Sequence, residues 1–123
     1  MTVTLVIPAR SENIALVRQV AGTIAARCDL MIDQVEDFRL AVDEAVAQLM
    51  AVTPDAMITC AFHEEPGAVG LRAWSDALDA APFDHEGFGW TVMGALVDGL
   101  EDASTPAGPA ISLRIRRRET TPA

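Results

Sequence analysis

The stretch "DAMITCAFHEEPGAVGLRAWS", residues 55 to 75, constrains the chain most: two alternating apolar runs are separated by a Pro-Gly pair. Alternation with a period of two puts every second side chain on one face of a strand. Pro-Gly between the runs is turn chemistry, so the segment predicts a β-hairpin with one apolar face that must be covered. The cover is predicted upstream. Ile14, Val17, Ala21 and Ile24 recur at steps of three and four, in a helix that Ser11 caps and that runs to about Arg27. A second helix starts at Asp33, with Glu36 three residues on as a capping box, and stops before Pro54. It buries Val35, Phe38, Val42, Ala45, Val46 and Leu49.

"TVTLVIPA" alternates too and predicts a first strand from Val3 to about Pro8. "DALDAAPFDHE" reads as a loop. "GFGWTVMGALVDGLED" predicts a third helix with Trp90, Met93, Leu96, Val97 and Leu100 on one face. After the linker "ASTPAGPA", "ISLRIRRR" predicts a last strand, with Ile111, Leu113 and Ile115 inward and Arg114 and Arg116 outward. The order β-α-α-β-β-loop-α-β, with three helices on one sheet face, is a two-layer α/β sandwich of the α+β kind. Its 123 residues suffice for one core, so a single domain over 1–118 with a frayed tail at 119–123 is expected.

Charge narrows the function. All nine basic residues are Arg, and residues 29 to 102 hold sixteen Asp and Glu against Arg39 and Arg72. A body this acidic repels phosphates, which excludes direct nucleic-acid binding and suits a basic protein partner. No run approaches the roughly 20 apolar residues of a membrane span, and "MTVTLVIPAR" lacks the basic start of a signal peptide. A cytoplasmic protein with two free core thiols, Cys28 and Cys60, is expected. His63 and His85 have no metal-ligand spacing with either cysteine, so no zinc is assigned.

On the second helix, Asp37, Ala41, Glu44 and Gln48 lie together, opposite the core stripe. Small Ala41 leaves room for something to lie on that face. A carboxylate one turn before a carboxamide can orient a proton while the amide oxygen ligates Mg²⁺. Glu and Gln four apart also occur on many solvated helices, and the pair by itself decides nothing.

The arrangement of "IPARSENIALVR", "RLAVDEAVAQL", a hairpin ending in Asp76, and "GFGWTVMGALVD" resembles the GHKL (Bergerat-fold) ATPases. More closely it resembles the anti-sigma-factor serine kinases of the RsbW and SpoIIAB group, in their actinobacterial branch, over residues 3 to 118. The resemblance implies a Bergerat fold with a mostly antiparallel mixed sheet. It implies Glu44 as catalytic base and Gln48 at the Mg²⁺ ligand. Asp76 would recognise the adenine, with Gly87 and Gly89 under the phosphates of ATP. Asn13 and Arg18 on the first helix would meet a sigma factor. It further implies an anti-anti-sigma (STAS-domain) protein as antagonist and a homodimer formed through the sheet.

Three departures bear on the ATP site. Gln48 is one methylene longer than the family's Asn, whereas Mg²⁺ holds its ligands at about 2.0–2.1 Å. Leu78 stands where the family has a Gly, and is expected to fill part of the adenine slot. Only eleven positions separate Asp76 from Gly87, so the lid that usually closes over the triphosphate is shortened. The expectation is an anti-sigma factor with a degraded nucleotide site; the alternative is an active ATP- and Mg²⁺-dependent kinase of the antagonist.

Overall fold

In the computed structural model, which describes residues 1–119, the expected hairpin is formed by β2 (Met57–Glu65) and β3 (Ala68–Ser75). Gly67 between them has φ +73, which glycine adopts without a Cβ penalty. β1 (Thr2–Pro8) pairs with β2, and β5 (Ala110–Arg116) pairs with β3. All four pairings in the five-stranded sheet are antiparallel. The alternation sends Ile58, Cys60 and Phe62 of β2, Val69, Leu71 and Ala73 of β3, and Ile111, Leu113 and Ile115 of β5 to one buried face.

Two antiparallel helices cover that face, α1 (Ile14–Ala26) and α2 (Ile32–Val52). Val17, Ala21 and Ile24 of α1 and Phe38, Val42, Ala45, Val46 and Leu49 of α2 are buried, as the 3.6-residue spacing requires. Phe38 meets Phe62 edge-on at 6.3 Å, which joins the two layers. Cys28 and Cys60 are both free and buried, and burial pushes the Cys60 thiol up to about 12.

Helix entry differs from expectation. Ser11 opens a short 3₁₀ turn, Ser11–Asn13, and α1 begins only at Ile14. The box at the start of α2 belongs to Gln34: its Oε1 accepts from the Met31 N–H at 3.4 Å, while Glu36 pairs with Arg39. Gln34 is buried, and its amide also donates to the Arg116 carbonyl at 2.7 Å and accepts from the Arg118 N–H at 3.1 Å. A side chain committed to β5 from α2 explains why the helix starts where it does.

The third helix is shorter than the apolar spacing suggests. α3 (Phe88–Leu96) ends before Val97, and Gly99–Asp102 forms a fourth strand, β4, on the edge beside β5. The sheet order is β1-β2-β3-β5-β4. Asp98 marks the break. Its N–H donates to the Arg114 carbonyl, and its carboxylate accepts from the Arg116 N–H at 2.6 Å. These bonds turn Leu100 into a strand residue, so it does not share a helical face with Trp90 and Met93. Of the expected tail, Glu119 lies beyond β5, and residues 120–123 lie outside the described residues. Among the described residues no helix is long and apolar enough to cross a membrane.

Candidate functional site

Glu44 and Gln48 sit one turn apart in the middle of α2, where the 3.6-residue repeat turns both toward one side. The Gln48 amide donates to Glu44 Oε1 at 3.0 Å. The two groups therefore satisfy each other first. The face they share is partly covered. α3 lies along it antiparallel to α2, with Gly89 beside Glu44 and Gln48 at one end, and Ala95 and Leu96 sharing a cavity with Asp37 at the other. Ala41, expected to leave space, is fully buried. What fills the space is the protein's own helix. A Cβ built on Gly89 would overlap the Glu44 carboxylate and stand 2.5 Å from the Gln48 amide nitrogen. Both contacts are with the ends of flexible side chains, which a Cβ would push aside.

Gly87 caps α3 in extended conformation, and the Asp84 carboxylate lies against it, 3.0 Å from where a Cβ would be. A helix N-terminus attracts anions through its free N–H groups and dipole. Here a carboxylate from the preceding loop stands close to that position. Sequence reasoning passed over Asp84, although an acidic residue three positions before a Gly-capped helix was the available signal.

Asp76 follows β3 and is exposed. It lines a hollow of about 440 Å³ with Arg72, Trp74, Ser75, Thr105, Ala107, Gly108 and Ala110, to which neither α2 nor α3 contributes. The structure thus brings Glu44, Gln48 and Gly89 together, and Asp76 lies at the end of β3. Beside Asp76 the Ser75 hydroxyl is buried without a hydrogen-bond partner, and Gly108 packs against the Ser75 carbonyl with φ +151.

The short loop between β3 and α3 also differs from expectation. Leu78, expected to fill part of the adenine slot, is 74% exposed, and Phe83 enters the core at 6%. Phe83 stacks on Trp90 at 5.8 Å and 30°. Pro82 and the apolar ring after it were the sequence signal for that anchor. A loop of twelve residues can bury one large side chain, and Phe covers more apolar area than Leu.

On the other side of α2, Arg18 reaches across from α1. Its Nη1 donates to Asp43 Oδ2 at 3.1 Å, and 42% of the side chain remains exposed. Arg18 is thus a tethered, part-exposed cation. Asp43 Oδ1 is buried and unpartnered, and burial raises the carboxyl above its ordinary value despite Arg18 and Arg39 nearby. Asn13 is committed locally, its amide donating to the Pro8 carbonyl at 2.9 Å. That bond fixes the corner between β1 and α1.

No protein-family model matches the chain. Among curated proteins, the anti-sigma-F factor RsbW of Mycobacterium tuberculosis is 38% identical over 101 residues, with the same values in two strains. The chain is RsbW-like. The match takes in 80% of this chain and 60% of the curated relatives, so the chain spans under two thirds of their length. A crystal structure of the RsbU and RsbW domains of a Mycobacterium tuberculosis protein superposes with a TM-score of 0.70 at 16% identity, over 98% of this chain and 35% of that one. The likeness establishes the GHKL-like fold.

Proposed function

We propose that this RsbW-like chain is an anti-sigma factor that works by binding. In this reading it sequesters an RNA polymerase sigma factor in the cytoplasm as a homodimer and is released by an anti-anti-sigma protein of the STAS type. The observation that carries the reading is the 38% identity to the anti-sigma-F factor RsbW over 80% of the chain. The exposed fork of Arg18 on α1, oriented by Asp43, supports a cationic contact with the sigma factor. Gln48 supports the further point that the nucleotide site is degraded. Its amide is held by Glu44, and it is one methylene longer than the Asn the family carries there, whereas Mg²⁺ holds its ligands at about 2.0–2.1 Å. In this reading no transfer step is assigned to Glu44.

Two measurements test the reading. Titrating a panel of sigma factors should find one bound tightly, with Arg18→Glu weakening it roughly 10-fold or more. Unchanged affinity in that variant removes Arg18 from the interface, and no binding across the panel sinks the anti-sigma reading. Calorimetric titration with ATP and Mg²⁺ should show no heat at millimolar nucleotide. Mg²⁺-dependent binding, with phosphate transfer to a STAS protein that Glu44→Ala abolishes, would restore the kinase alternative.

A further inference from the structure

The first turn of α3, which lies on Glu44 and Gln48, is fastened from its other side. Trp90, adjacent to Gly89, carries two rings from the preceding loop: Phe83 at 5.8 Å and His85 at 4.6 Å. His85 Nε2 in turn meets Asp102 Oδ2 at 2.6 Å, and Asp102 is the last residue of β4. Asp102 is itself held, since its Oδ1 accepts from the Ser104 N–H at 3.0 Å. The chain of contacts thus runs from the sheet edge through Asp102, His85 and Trp90 to the turn that contains Gly89. Phe83 is a permanent apolar anchor. His85, with 53% of its side chain exposed, is the link that pH can change.

We propose that His85, Asp102 and Trp90 form a latch, tightened by protonation of His85, that holds the first turn of α3 down over Glu44 and Gln48. The charges that face His85 favour this. Its own loop supplies Asp84 and Glu86, β4 supplies Asp102 with Glu101 on the opposite side of the strand, and α3 carries no charged residue. An imidazolium here meets the Asp102 carboxylate directly. Burial works against the charge of Asp102, but hydrogen bonds from Ser104 and His85 outweigh it and hold the carboxyl below its ordinary value. Asp102 is therefore ionised whenever His85 can gain its proton. Protonation of His85 turns a neutral hydrogen bond into a charge-assisted one. As the pH rises the latch loosens and α3 can lift from Glu44 and Gln48. The latch does not depend on sigma binding.

Hydrogen–deuterium exchange, corrected for intrinsic rates and followed from about pH 5.5 to 8, tests it on the whole chain. Amides of the first turns of α3, Trp90 to Met93, should lose protection roughly two- to fivefold as the pH rises, the scale of a part-exposed ion pair. Amides of β2 and β3 should not follow. His85→Gln and Asp102→Asn should flatten the α3 step, and His85→Phe should flatten it while retaining the ring on Trp90. A wild-type profile without the step, or a step that survives His85→Gln or Asp102→Asn, overturns the latch. A merely structural role for His85 would shift protection equally at every pH.

Discussion

Gly89 lies against the ends of the Glu44 and Gln48 side chains, and a Cβ there would displace both. Gly94, one turn on in the same helix, is exposed, and a Cβ there would stand 3.8 Å from Leu100, an ordinary contact. The two glycines therefore differ in kind. Gly94→Ala should stabilise the protein by roughly 0.5–1 kcal/mol through helix propensity. Gly89→Ala should forfeit that gain, with a loss of up to about 1 kcal/mol, because its methyl group pushes the Glu44 and Gln48 ends aside and breaks the hydrogen bond between them. Urea unfolding of both variants checks this, and an equal response at the two positions would mean that α3 is not seated on α2 as described.

Phe83, not Leu78, anchors the short loop before α3. Phe83→Ala should cost roughly 3 kcal/mol, the scale for a buried aromatic truncated to a methyl group. Leu78→Ala should stay within about 0.5 kcal/mol, because most of its side chain is already in water. Thermal or urea denaturation of the pair decides which residue faces inward. A larger loss at Leu78 would reverse the assignment.

Asp43 reverses the usual behaviour of a carboxylate near an arginine. Burial raises its folded value above the ordinary 3.8, outweighing Arg18 and Arg39. The folded state then binds the proton more tightly than the unfolded chain, so between those two values stability falls as the pH rises. Asp43→Asn should remove that component and leave a shallower decline with pH in the window just above 3.8. Stability measured by urea unfolding across that window gives the slopes. Identical slopes in the variant and the parent would show that Asp43 titrates as an ordinary carboxyl.

Most of the architecture is legible in local pattern. The Pro-Gly pair and the alternation of "MITCAFHEE" and "AVGLRAWS" specify the β2–β3 hairpin, because side-chain direction in a strand repeats every two residues. The stripe through Phe38, Val42, Ala45 and Leu49 specifies the buried side of α2, and the same repeat places Glu44 beside Gln48. β4 escapes such reading. "GLED" has no strand pattern of its own and becomes a strand only because β5 offers it an edge.

What the sequence determined by itself is the set of faces: which sides of α1, α2, β2, β3 and β5 are apolar, and that Glu44 and Gln48 share a polar one. What covers the polar face was settled only by tertiary structure. Ala41 offers a gap that a ligand or a helix could occupy, and helical periodicity cannot distinguish the two. The gap is closed by α3, held there by glycine at 89 and by Phe83, Trp90 and His85 from sequence neighbours. Asp76 and Glu44 come from segments that look like parts of one site, and Asp76 lines a hollow at the end of β3, beside Gly108, to which α2 contributes no residue. Periodicity is a property of one segment, whereas occupancy of a face is a competition among segments distant along the chain, decided by shape and by the area each can bury.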